Sequence, residues 1–304
     1  MSSRTPLKFA LALVFVAALL IALVAAPNAT AQRVLTGDWT SSFDGKSNKI
    51  HFKLQHRWDN DGHSSTGQTF DVADLQGLSR EQAAGSGQAR FSLVREAGRI
   101  DFEGSFQDGK GSGTFRFTAD LSFVSAMKSR GFDFEETGSR RSSDHRLFAA
   151  TTLNVTTALV DDLNSGGFGK LDVDDLFKAA IFKVDSKFRR EMEASGLGVL
   201  GMEELVKARI FKVDSELISQ AKQMGFESES LEGLVKLRIF KVTPEFIAEV
   251  RNEGLTNISL EDAVKMRIFN IDSAFIRDAR ADGVPLQVER LVERKIGVRH
   301  RSHP

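Results

Sequence analysis

A 29-residue period running through the C-terminal half constrains this chain more than any other feature. Gly167, Gly196, Gly225, Gly254 and Gly283 each stand 29 residues from the last, and so do Ile181, Ile210, Ile239 and Ile268. The pattern LVKxRIFKV recurs as LFKAAIFKV from Leu176, LVKARIFKV from Leu205, LVKLRIFKV from Leu234 and AVKMRIFNI from Ala263. A degenerate copy, LFAATTLNV, starts at Leu147, and a shortened LVERKIGV starts at Leu291. A unit of this length cannot bury an apolar face by itself, so it stacks on its neighbours.

Each unit carries two helix signatures. The first starts at an N-cap (Asp185, Asp214, Thr243, Asp272), has Pro244 at the first helical position in one copy, and ends at the periodic glycine. The second starts at Asp172, Gly201, Ser230 or Ser259, and Ser259 to Asp262 has the capping-box pattern. Helices this short are marginal alone, so burial of Ile210, Phe211, Val213, Leu217 and their equivalents, Phe240 among them, is expected to hold them. The implied architecture is an α-solenoid of 29-residue helical hairpins. Phe123 and Gly131 keep the repeat's Phe-to-Gly spacing and mark a first, interrupted unit.

The preceding segment reads as β structure. Lys49 to Trp58 alternates, with Ile50, Phe52, Leu54 and Trp58 on one side and Lys49, Lys53, Gln55 and Arg57 on the other. Turn residues at 59–62 then return the chain through Ser64 to Val72. Phe91 and Leu93, Ile100 to Phe106, and Phe115 and Phe117 form further strands, separated by Ala97-Gly98 and by Asp108 to Gly111. With Trp39 and Phe43, about six strands are expected. They suit a small antiparallel sheet or partly open barrel, its interior filled by phenylalanines rather than left as a pocket.

The fold class is therefore α+β, with a β domain at 37–118 and a helical array at 119–298. The N-terminus is different in kind. Arg4 and Lys8 precede an apolar run from Phe9 to Ala26, then Pro27 and Ala29-Thr30-Ala31. Residues 1–31 read as a signal peptide, with an uncleaved membrane anchor as the alternative. Residues 299–304 form a basic tail. Export to a periplasmic or extracellular location follows. Cysteine is absent, which removes disulfides, thiolate nucleophiles and Cys-based metal sites. Lys plus Arg equals Asp plus Glu at 41 each, so no global field favours nucleic acid or a membrane surface.

The run VTPEFIAEVRNEGL, followed by LEDAVKMRIF, resembles the tandem segments downstream of the membrane domain in antirepressor-type, beta-lactam-sensor-like membrane metallopeptidases. The stretch from Arg95-Glu96-Ala97-Gly98 to Phe117 resembles the β segment preceding those repeats. The resemblance covers nearly all of the mature chain. No HExxH motif and no multi-span region accompany it, so it implies an extracytoplasmic accessory or sensing module and no protease activity.

Stacked repeats would align three basic ladders. Lys178, Lys207, Lys236 and Lys265 follow an acidic residue four positions earlier, the helix pairing of a solvated face. Arg209, Arg238 and Arg267 form a second register. Lys183, Lys212 and Lys241 sit at the turn without such a partner. The last two sets are the candidate binding residues, for a protein or an anionic envelope component. The turn RIFKVTPEFI lacks the glycines with which a helix-hairpin-helix module approaches phosphate, so nucleic acid is not an expected partner. Asp162, Asn164 and Gly166 imitate a calcium loop, but Val173 stands where its bidentate Glu belongs. Asp59, Asp61 and His63 read as a turn, and His51 and His56 face opposite sides of a strand, so no metal is expected. No G-x-S-x-G, P-loop or G-x-G-x-x-G is expected either. The expected function is an exported, non-enzymatic binding or scaffold module without cofactor. An enzyme or small apolar-ligand carrier using the β domain is the alternative.

Overall fold

A computed structural model describes residues 34–57, 63–135, 143–226 and 230–297, the side chains of Arg57 and His63 excepted. The segment read as a signal peptide, Trp58, the expected turn at 59–62 with its Asp59 and Asp61, and the basic tail lie outside the described residues. The chain is α+β and divides into two compact units. One comprises residues up to 121 together with 137–151, the other 122–136 and 152 onward.

The first unit is a seven-stranded antiparallel sheet: β1 (Val34–Ser42), β2 (Lys49–Arg57), β3 (His63–Asp71), β4 (Leu75–Gln76), β5 (Gly87–Arg95), β6 (Gly98–Gln107) and β7 (Lys110–Ala119). Their order is β3-β2-β1-β7-β6-β5-β4, so the first strand lies beside the last, with Val34 opposite Thr118. Alternation places Leu35, Trp39, Ile50, Phe52, Leu54, Phe91, Phe102, Phe115 and Phe117 on one buried face. β2 and β5 are four strands apart, about 19 Å in a flat sheet. Yet the rings of Phe52 and Phe91 lie 6.0 Å apart. The sheet therefore curls into a half-barrel around its own aromatic side chains.

Trp39 is the hub. Its ring meets Phe52, Phe91, Phe102 and Phe106 at 5.5–6.1 Å, and its Nε1 donates to the carbonyls of Thr114 (3.1 Å) and Glu103 (3.3 Å). Glycines make the room. A Cβ on Gly104 would lie 2.8 Å from the Trp39 ring and 2.1 Å from the Ser112 carbonyl. A short helix α1 (Arg80–Ala84), with a Ser79 capping box, links β4 to β5, and α3 (Ser143–Leu153) packs on the sheet. Phe148 of α3 stacks on Phe115 at 5.5 Å and meets Phe117 edge-on. The LFAATTLNV segment groups mainly with the sheet, where its phenylalanine finds apolar partners.

The second unit is helical among its described residues. It comprises α2 (Leu121–Ser129), α4 (Thr157–Ser165), α5 (Val173–Phe182), α6 (Ser186–Met192), α7 (Met202–Ile210), α8 (Ser215–Gln223), α9 (Leu231–Ile239), α10 (Pro244–Asn252), α11 (Leu260–Ile268), α12 (Ser273–Ala281) and α13 (Val288–Lys295). Caps fall where the sequence places them. Asp185, Asp214, Thr243 and Asp272 each accept from the backbone N–H three residues on. The periodic glycines, from Gly167 at φ +76° to Gly283 at +75°, occupy the left-handed region. α5, α7, α9, α11 and α13 pack each on the next, and so do α8, α10 and α12.

Candidate binding surface

The helices α5, α7, α9 and α11 end alike. In α7 the amide of Val213 donates to Ala208 O at 2.8 Å and that of Lys212 to Arg209 O at 3.2 Å, the two bonds of a Schellman turn. Val184, Val242 and Ile271 repeat the first bond at 2.8–3.0 Å. The turn requires a left-handed residue at its bend. Lys183, Lys212, Lys241 and Asn270 supply it, at φ +51° to +57°, and Asn154 takes the same conformation one period earlier.

This turn overturns part of the expected core. The reversal sends Val184, Val213, Val242 and Ile271 inward to 0–4% exposure. The isoleucines three residues before them stay out. Ile181, Ile210, Ile239 and Ile268 are each 50–52% exposed, whereas Leu217 is buried as expected. Phe211 and Phe240 are half-buried. The physical reason is that the residue following a left-handed bend folds back on the helix's last turn, so the valine takes the buried place. Ile296, at the end of α13, extends the exposed series. A polar residue at fixed register followed by Val or Ile was the signal in the sequence.

The two arginine and lysine registers inside the helices are committed to packing. Arg209 Nε donates to Lys183 O (3.1 Å), Arg238 Nε to Lys212 O (3.2 Å) and Arg267 Nε to Phe240 O (3.0 Å). The Arg209 guanidinium also lies 3.5 Å over the Phe188 ring. These residues tie each helix end to the preceding turn. The expected pairing of Lys178, Lys207, Lys236 and Lys265 with an acid four residues earlier is not what forms. Instead Lys207 meets Glu232 at 2.5 Å and Lys265 meets Glu289 at 3.1 Å, while Lys178 and Lys236 bind Glu203 and Glu261. The stacked neighbour offers a nearer carboxylate than the helix's own preceding turn. Glu203 and Asp175 together raise the Lys178 ammonium above the usual lysine range. Lys183, Lys212 and Lys241 remain exposed, with no ion pair among the described residues.

The β unit offers a second feature, a shallow polar depression of about 1320 Å³. Its outward-facing lining alternates in sign: Asp38, Arg90, Arg99, Asp101, Glu103 and Arg116. Asp101 accepts from Ser92 Oγ (2.7 Å) and Arg99 Nε (2.6 Å), and Arg90 pairs with Glu103. At one end His56, 5% exposed, faces His145 of α3 with ring centroids 4.7 Å apart. Burial, and then the His145 ring, pushes the His56 pKa down to about 4. His51 faces the other way and bonds Thr69 at 2.7 Å, as strand parity requires.

Among the described residues no group of three or more His, Asp or Glu is placed to hold a metal ion, and no helix is long and apolar enough to cross a membrane. Asp162 accepts from the Ser186 amide and hydroxyl, which explains it without calcium. Gly196, Gly198 and Gly201 do have the G-x-G-x-x-G spacing, which corrects the expectation that the chain holds none. They lie between two helices rather than after a strand, and Glu204 already binds the Gly201 amide at 2.7 Å. No family model, curated protein or solved structure matches this chain.

Proposed function

We propose that the chain is an exported, non-enzymatic binding or scaffold module. Its 29-residue helical hairpins stack as an α-solenoid whose turn edge receives a protein or an anionic envelope component. One observation carries this reading: Ile181, Ile210, Ile239, Ile268 and Ile296 are half-exposed at the helix ends, and a lysine held in the left-handed region follows the first three two residues on. Packed helices stand about 8–10 Å apart, so five such isoleucines extend over roughly 40 Å. Isoleucines left half-exposed at a recurring position, rather than scattered singly, support an interaction site there.

The lysines strengthen the case. Asn enters the left-handed region more easily than Lys, and Asn154 and Asn270 use it at the same register. Three central turns nevertheless carry Lys, which favours a role for the ammonium beyond the turn itself. Arg209, Arg238 and Arg267 belong to the framework of that edge, not to its contact set.

Two combined variants of the exported chain test this reading, Ile181, Ile210, Ile239 and Ile268→Ser, and Lys183, Lys212 and Lys241→Gln. Retention of envelope components on the immobilised protein should be lost in the first and weaken, with a flatter salt response, in the second. Unchanged retention in both would remove the edge from consideration. The polar depression of the β unit is the alternative, and its alternating charges suit a polar ligand better than an apolar one.

A further inference from the structure

The sheet has two edges, and they are built differently. β4 is two residues long, so that edge offers almost no unpaired backbone. β3 runs for nine residues and, among the described residues, pairs with β2 alone. Its register has no bulge: Lys49 faces Asp71, Phe52 faces Gln68 and Arg57 faces His63 without a skipped position. Proteins keep long edges single with lysine, proline, bulges or shortness. β3, reading HSSTGQTFD, has none of the four. Among the described residues no further backbone group bonds to it. Ser64, Thr66 and Gln68, on the side facing the core, are half-exposed, so the apolar core ends at β2 and leaves β3 polar on both faces apart from Phe70.

We propose that β3 pairs antiparallel with β3 of a second copy of this chain, centred on Gly67, so that two sheets join edge to edge. The sequence of the strand is complementary to itself in that register. Ser65 falls opposite Thr69 of the second copy and Thr66 opposite Gln68. No like charges meet: the hydroxyls of Ser65 and Thr69 share one face, and on the other Ser64 falls opposite Phe70 beside the Thr66 and Gln68 pair. Gly67 meets its own copy on the twofold axis, where open space surrounds the place a Cβ would take. A twofold contact of this kind closes at two chains, so it saturates the edge rather than propagating a fibre. The inference is independent of the helical turn edge.

Register-specific charge substitution tests it, with the exported chain followed by sedimentation equilibrium. The unmodified chain should dimerise at concentrations up to about 100 µM. Ser65→Lys with Thr69→Lys sets like charges opposite one another twice and should weaken the dimer by at least roughly tenfold. Both positions point outward, and Thr69 loses only an exposed bond to His51, so the fold should survive. Ser65→Lys with Thr69→Glu sets each new ammonium opposite a new carboxylate and should restore the dimer. A monomeric unmodified chain overturns the proposal. So does equal dissociation of the two double variants, which would place the contact elsewhere.

Discussion

In the β unit the residues that meet are far apart along the chain. Trp39 donates to a carbonyl 75 residues away, and β1 finds its second partner in β7. In the helical unit the recurring ties span about one period: 25 residues from Lys207 to Glu232, 26 from Arg209 to the Lys183 carbonyl. The difference decides what each region can spare. Each aromatic residue of the sheet has a place of its own, so its loss has no substitute. Several positions of the helical unit recur 29 residues apart, so one that recurs without being buried is open to another use.

The sheet should show the largest single effect. Trp39→Ala removes a ring that contacts four others and leaves a cavity among glycines that cannot fill it, so the β unit should lose about 3–5 kcal/mol. Urea unfolding followed by the fluorescence of Trp58, the other tryptophan, measures it. A loss below about 1 kcal/mol would mean that the sheet is not organised around that ring.

Within the helical unit, two apolar residues of α9 sharpen the contrast. Leu234 is 1% exposed and Ile239 is 52% exposed. Leu234→Ala should destabilise by about 2–4 kcal/mol, and Ile239→Ala by less than about 1 kcal/mol. Equal losses by far-UV circular dichroism would return the isoleucine series to the core.

Acid should separate the units. Burial holds the folded His56 pKa at about 4, below its ordinary 6.5, so the unfolded chain takes up its proton first as pH falls. The stabilisation is complete above pH 6.5 and is lost between 6.5 and about 4, up to roughly 3 kcal/mol. His56→Phe should flatten that slope in tryptophan fluorescence. A slope unchanged in this variant would assign the acid sensitivity to other groups.

The sequence made the helical caps legible because capping is local: Asp214, Thr243 and Ser259 announce themselves within four residues. Strand alternation likewise placed His51 and His56 on opposite faces. The exposed isoleucines were misread because Ile, Phe and Val stand close together in RIFKV, and only the left-handed bend at the lysine decides which of them turns inward. Pairing of β1 with β7, and the docking of Phe148 on the sheet, depend on partners far along the chain that no local pattern names. A seventh strand escaped because β4 has only two residues.

A smaller effect with the opposite sign comes from the turns. Lys212→Asn should stabilise the helical unit by about 0.5–1 kcal/mol, because Asn enters the left-handed region more readily. A loss in thermal unfolding would show that the lysine serves the fold.

The exposed isoleucine edge is the account's central claim, and one measurement addresses it most directly: retention of envelope components by the Ile181, Ile210, Ile239 and Ile268→Ser variant, at a temperature where its circular dichroism matches the unmodified chain. The account predicts a folded protein that no longer retains them. A folded variant that retains them undiminished would contradict it.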